Sequence, residues 1–145
     1  MARMIDRVEA MIRGELPGPP AADLIGFRAV AVRPGWALFE MEAGPRHANP
    51  MGTLHGGILC DLADAAMGVA WASELDDGQS FTTLELKINF LKPVWNARLR
   101  AEAHVVKRGK TVGLVECDVQ DESGSLVARA SSTCLTLSGE KASGR

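Results

Sequence analysis

Asn49-Pro50-Met51-Gly52-Thr53-Leu54-His55-Gly56-Gly57, with Asp64 seven residues further on, gathers in one stretch the groups needed to attack a carbonyl. If a helix begins at the glycine pair, its first backbone N–H groups are free and sit at the positive end of the helix dipole. Glycine lets a substrate come close to that backbone. A carbonyl oxygen resting on the N–H of Gly56 or Gly57 would be polarised, and the oxyanion formed on attack would be stabilised there. Losing one such donor typically costs about a hundredfold or more in rate. Asp64 lies about two turns into the same helix and Asp61 one turn earlier. A carboxylate on a mostly apolar helix is costly to desolvate without partners. It can serve as general base on water or attack an acyl carbon directly. Each residue alone has an ordinary role: the glycines as a helix start, His55 as a structural histidine, Asn49 as a turn former. It is their spacing that points to chemistry.

A second group, Lys107-Arg108-Gly109-Lys110-Thr111, places three cations in four residues where a hairpin tip is expected. It could hold phosphates or simply solubilise a turn. Arg46, Arg98 and Arg100 are weaker candidates for the same task.

The elements that must position these groups follow from periodicity. Ile5, Val8, Met11 and Ile12 recur at helical spacing, which predicts a short amphipathic helix over 3–13, ended by Gly14 and the Pro17-Gly18-Pro19-Pro20 cluster. Residues 26–33 and 36–42 read as strands joined by the Pro34-Gly35 turn. A loop rich in Gly, Pro and Asn covers 43–54. From 56 to 74 small and apolar residues surround the helix axis, the pattern of a buried helix. The period then becomes two: Leu84, Leu86, Ile88 and Phe90 alternate with Thr83, Glu85, Lys87 and Asn89, giving a strand with one face on the core that ends at Pro93. Residues 98–105, 111–120 and 125–137 complete a meander of four strands, with a turn at 121–124, and the polar residues 138–145 are expected to fray. The class is α+β: an antiparallel sheet wrapped around one long helix, in one domain over 1–145 with 1–20 as N-terminal helix and linker.

Bulk composition narrows the field. With 145 residues, 46% hydrophobic and 23% charged, the chain suits one globular unit. A net charge of −2 gives no basic footprint for nucleic acid. No apolar run approaches the roughly 20 residues needed to span a bilayer, and the charged N-terminus does not read as a secretory signal. Cys60, Cys117 and Cys134 are odd in number and without metal spacing, which fits reduced thiols in the cytoplasm and no bound metal.

The string HGGILCDLADAAMGVA resembles the hotdog-fold thioesterases of the phenylacetate-degradation type, whose pattern is His-Gly-Gly, six variable residues and an acidic residue on the central helix. TTLELKINFLKP is similar to the strand that follows that helix, and GKTVGLVECDVQDESGSLVARASSTCL to the closing hairpin, so the resemblance covers roughly residues 25–137. It implies a hotdog fold and hydrolysis of an acyl- or aryl-CoA thioester to free acid and coenzyme A, without a further cofactor. It implies Asp64 as the catalytic carboxylate, Gly56 as the polarising N–H, Asn49 as a holder of the carbonyl or water, and His55 beside the thioester. Thr83, or Thr82 if the register shifts by one, falls where a Ser or Thr of a partner subunit assists the carboxylate; Thr83 is preferred because Thr82 shares a face with Leu84, Leu86 and Ile88. Phe90 and Lys107, Arg108, Gly109, Lys110, Thr111 and Val112 match coenzyme A contacts. Homodimers joined edge to edge, often paired into homotetramers, are implied as well, with each site built from two chains.

The loop 43–54 with Met67 and Trp71 is the expected lining for the acyl group, suited to an aromatic or medium aliphatic chain. Two other readings stay open at this level. A hydroxyacyl-thioester dehydratase would use His55 with Asp64 as an acid/base pair, and a non-catalytic acyl-CoA-binding protein would bind without hydrolysis.

Overall fold

The computed structural model describes residues 3–145, so the first two residues of the expected N-terminal segment lie outside it. Helix α1 (Met4–Ile12) buries Ile5 and Val8. A short helix α2 (Pro20–Ile25) follows, where only linker was expected. Proline suits its first turn, because the missing N–H would be unpaired there anyway. Gly26, at φ 97°, ends it in the left-handed region.

Strands β1 (Phe27–Arg33) and β2 (Trp36–Ala43) form the expected hairpin. The long helix α3 (Gly56–Ala72) comes next, then β3 (Ser80–Phe90), β4 (Ala97–Arg108), β5 (Val112–Gln120) and β6 (Leu126–Leu137). The polar tail carries a 3-10 turn at Gly139–Ala142.

All six strands form one antiparallel sheet in the order β1-β2-β4-β5-β6-β3, and α3 touches every strand of it. The four C-terminal strands are therefore not a plain meander. Only β4, β5 and β6 are; β3 crosses to the far edge and pairs with β6. The crossing follows from α3, which carries the chain across the sheet and starts β3 on the other side.

Burial along α3 sets its orientation. Leu62, Ala63, Ala66, Met67, Ala70 and Trp71 are fully buried, at spacings of one and four that make one face. The sheet supplies the matching surface: Ala37, Leu99, Ala101, Ala103, Val115 and Val119 are fully buried as well. Burying each large side chain contributes about 1.5–3 kcal/mol.

Strand β3 contains a bulge. Thr83 pairs with Cys134, and Glu85 with Thr133, so Leu84 is the extra residue, and it is exposed. The strict alternation expected through this strand does not hold. The bulge flips parity, so Phe81 and Thr83 share the helix side with Leu86 and Ile88 beyond it.

Trp71 packs against β5 at Gly113, where an added Cβ would collide with the ring and with the Lys107 carbonyl. Gly113→Ala is expected to destabilise the fold by about 1–3 kcal/mol through overpacking, read as a lower urea midpoint at unchanged m-value.

Candidate active site

Asp64 sits on the side of α3 that the sheet leaves uncovered. Thr83 reaches it across from β3 and donates a hydrogen bond from Oγ1 to Oδ1 at 3.3 Å. The contact lies within one chain, which corrects the expectation that this hydroxyl comes from a partner subunit. Both residues border a cavity of about 660 Å³ bounded by α1, α2, α3, β1, β2 and β3.

The expectation of a carboxylate already buried within its own chain is corrected. Asp61 and Asp64 are both exposed in the single chain, because the sheet covers only the opposite side of the helix. Protein crowding around the Asp64 carboxyl nevertheless pushes its pKa above the ordinary value. The Thr83 hydrogen bond offsets part of that rise, and the charge of Asp61 adds to it.

A second cluster forms where α3 begins. His55 is the N-cap, and the Gly57 N–H donates to its Nδ1 at 2.9 Å. That leaves the Gly56 N–H without an acceptor among the described residues, so of the two glycines it is the one open to a ligand. The Phe90 ring lies over Gly56, where an added Cβ would come within 2.8 Å of Cζ.

Asn49 holds the preceding loop: its Oδ1 accepts from Met51 N at 3.0 Å and Thr53 N at 3.2 Å, and its Nδ2 donates to Thr53 Oγ1 at 2.7 Å. The turn-forming role thus accounts for most of its hydrogen-bonding capacity.

The sequence reading missed His47. It is buried, accepts from Gly44 N at 3.2 Å and donates through Nε2 to the Ile25 carbonyl at 2.7 Å. Its own carbonyl accepts from His55 N at 2.9 Å, so it anchors the start of α3. Its place between two loop prolines carried no periodic signal.

The turn at 107–112 stands apart from both clusters. Gly109 N donates to Val112 O at 3.0 Å to close it, and Lys107, Lys110, Thr111 and Val112 are exposed. Arg108 is committed elsewhere: its guanidinium lies 4.8 Å over the Trp71 ring and 3.6 Å from Glu74. These partners are at the C-terminal end of α3, so within one chain the turn and Gly56 are separated by the helix length, about 25 Å.

Met67 and Trp71, expected to face an acyl group, have no free surface within the chain. Both are fully buried on the sheet side of α3, and neither they nor the loop 43–54 borders the cavity.

The three cysteines are free. Cys60 lies one turn before Asp64, and burial, with the charges of Asp61 and Asp64, raises its pKa. Burial pushes Cys117 up to about 12 and also raises Cys134. None is a ready thiolate. Among the described residues no group of three or more His, Cys, Asp or Glu is placed to hold a metal ion. No helix there is long and apolar enough to cross a membrane.

A long helix held against a six-stranded antiparallel sheet is the hotdog architecture of thioester hydrolases. The chain belongs to the thioesterase superfamily, whose pattern matches residues 51–128. It is 30% identical to acyl-coenzyme A thioesterase 13 of Homo sapiens over 72% of this chain and 75% of that protein. A phenylacetic acid degradation-related protein of Ralstonia eutropha superimposes with a TM-score of 0.80 at 33% identity, covering 88% of this chain and 98% of that one. The PaaI protein of the Escherichia coli phenylacetic acid degradation operon gives a TM-score of 0.82 at 23% identity, over 94% and 97%, which shows a shared fold. The protein is thus a thioester hydrolase of the PaaI-like group.

Thr83 tests the electrostatics of the site. A carboxylate acting as base or nucleophile must be ionised, so if Asp64 has that role activity falls as pH drops through its raised pKa. Thr83→Ala removes the contact that lowers that pKa. The acidic limb of the kcat/KM profile should therefore move to higher pH, while Thr83→Ser keeps it near the wild-type position.

Proposed function

We propose that the protein hydrolyses an acyl- or aryl-CoA thioester to the free acid and coenzyme A, at a site shared by two copies of the chain. The observation that carries this reading is the separation of the two halves of the machinery. Gly56 and Asp64 lie eight residues apart on one straight helix, about 12 Å along its axis. A single acyl carbon cannot be within about 3–3.5 Å of a nucleophile while its oxygen rests on an amide at that distance. Asp64 with Thr83 of one chain must therefore face Gly56 of another.

Edge strand β3 offers the seam. It carries Thr83, leaves Leu84 exposed, and has an unpaired backbone edge that a second β3 would satisfy. The closure of the site by a partner would also remove the remaining solvent from Asp64. A dimer is the minimal unit of this reading, and a dimer of dimers is compatible with it.

In the proposed reaction the carbonyl oxygen accepts from the Gly56 N–H. Asp64 takes a proton from water, whose oxygen bonds to the acyl carbon; alternatively the carboxylate itself makes that bond and water later cleaves the anhydride. The C–S bond breaks, its electron pair leaves on sulfur, and the thiolate receives a proton. Thr83 orients the carboxylate. The remaining Asn49 amide hydrogen and the His55 ring are assigned to holding the carbonyl or the water. Phe90 flanks it and suits the pantetheine arm. Lys107 and Lys110, exposed and without ion-pair partners among the described residues, suit phosphates on the nucleotide. No metal enters these steps. Three unpaired cysteines fit a cytoplasmic setting.

Two measurements test the reading. Asp64→Asn should lower kcat/KM for a hydrolysed acyl-CoA by about 10²–10⁴-fold. It should not lower the melting temperature, because a carboxylate with a raised pKa opposes folding above the ordinary Asp range. Near-wild-type turnover would remove Asp64 from the mechanism. Mixing inactive Asp64→Ala with inactive Gly56→Pro protein, after unfolding and refolding together, should restore about a quarter of wild-type activity through hybrid dimers. Failure of the mixture to regain activity would place both groups in one chain.

A further inference from the structure

The cavity beside Asp64 is larger than the chemistry at the carboxylate requires. Its volume of about 660 Å³ falls within the roughly 300–1,000 Å³ of small-molecule sites. It is a cleft open to solvent along part of its boundary, so a ligand can enter it without unfolding of the walls.

One wall is the uncovered face of α3. Past Asp64 it presents Ala65, Gly68, Val69 and Ala72, at helical spacing and mostly without side-chain bulk. Gly68 has a local reason to be glycine: an added Cβ would lie 3.1 Å from Cζ of Phe81, a residue that also borders the cavity. The facing wall is α1, through Met4, Val8 and Met11. The polar side chains on its border are Asp64 and Thr83, with Arg7, Asp23 and Arg28, all three exposed.

We infer that this chamber receives the acyl group, that its substrates are thioesters of unbranched medium-chain acids, and that the N-terminal helix sets the chain length accepted. The inference rests on the reading of Asp64 given above. From Asp64 to Ala72 the helix advances about 12 Å. Covalent chains extend about 3.5 Å per three bonds, so the chamber takes about ten carbons beyond the carboxylate. Apart from these five residues the lining is backbone, alkyl and aromatic. It has no buried hydrogen-bonding group with which to select a ring hydroxyl. Met11 borders the chamber from α1, away from α3, and its flexible thioether can be replaced without touching the reacting atoms.

The test is kcat/KM for a series of straight-chain acyl-CoA esters from acetyl to palmitoyl, together with calorimetric binding of the same series to Asp64→Asn protein. Wild-type kcat/KM should rise about threefold or more per added methylene up to about ten carbons and then level or fall. Met11→Trp should reduce decanoyl-CoA hydrolysis by about tenfold or more with acetyl-CoA hydrolysis unchanged. Met11→Ala should move the optimum to longer chains. A flat chain-length profile in an active enzyme, or a Met11→Trp effect equal at all lengths, overturns the chamber and leaves the catalytic reading standing. Chain-length-dependent binding to Asp64→Asn, with no hydrolysis by wild type, supports the chamber and overturns the catalytic reading.

Discussion

Helix α3 buries Leu62, Ala66, Met67, Ala70 and Trp71 completely against the sheet, and this contact fixes the rotation of the helix about its own axis. Everything at the site is measured from that rotation. With Met67 and Trp71 turned toward the strands, Asp64 and the small residues at 65, 68 and 72 must face the other way. A rotation by one residue, about 100°, would bury a carboxylate among alkyl groups at a cost of several kcal/mol. Apolar burial and charge avoidance therefore act in the same direction. The same asymmetry leaves one flank of α3 bare, and the short amphipathic helix α1 covers part of it at a distance that preserves a chamber.

The bulge at Leu84 solves a second geometric problem. A regular strand cannot put Thr83 and Leu86 on one face, because side chains alternate with a period of two. One extra residue restores the parity, so the hydroxyl needed at the carboxylate and the apolar residues needed at the core come from the same strand. The exposed Leu84 that results lies on an open sheet edge, where pairing with a second chain would cover it.

At the helix start, hydrogen bonds decide which glycine is available. His55 takes the Gly57 N–H, His47 secures the His55 backbone, and Asn49 closes the loop before them. The outcome is a donor at Gly56 left unpaired among the described residues, at the end of a loop closed by its own hydrogen bonds. Preorganised donors are effective because little reorganisation is left for the moment of reaction. The Phe90 ring occupies the space where a Cβ on Gly56 would stand, so a larger residue there would have to displace it.

Much of this was legible in the sequence. Periods of 3.6 and 2 located α1, α3 and the six strands to within a few residues, because each element has one face that must be apolar. The pattern from His55 to Asp64 marks the helix that carries the carboxylate, and Thr83 rather than Thr82 reaches it, although the bulge and not strict alternation is what puts Thr83 on that face. What the sequence left undetermined depends on contacts between distant segments. The place of β3 beside β6, the commitment of Arg108 to Trp71 and Glu74, and the position of the chamber under α1 rather than beside Met67 are all of this kind. Periodicity says that a helix has a buried face; only packing in three dimensions says what lies against each side of it. Local spacing thus determined which residues could do chemistry, and the tertiary structure decided which of them meet, since only the packing of β3 and β4 around α3 brings Thr83 to Asp64 and Arg108 to Glu74.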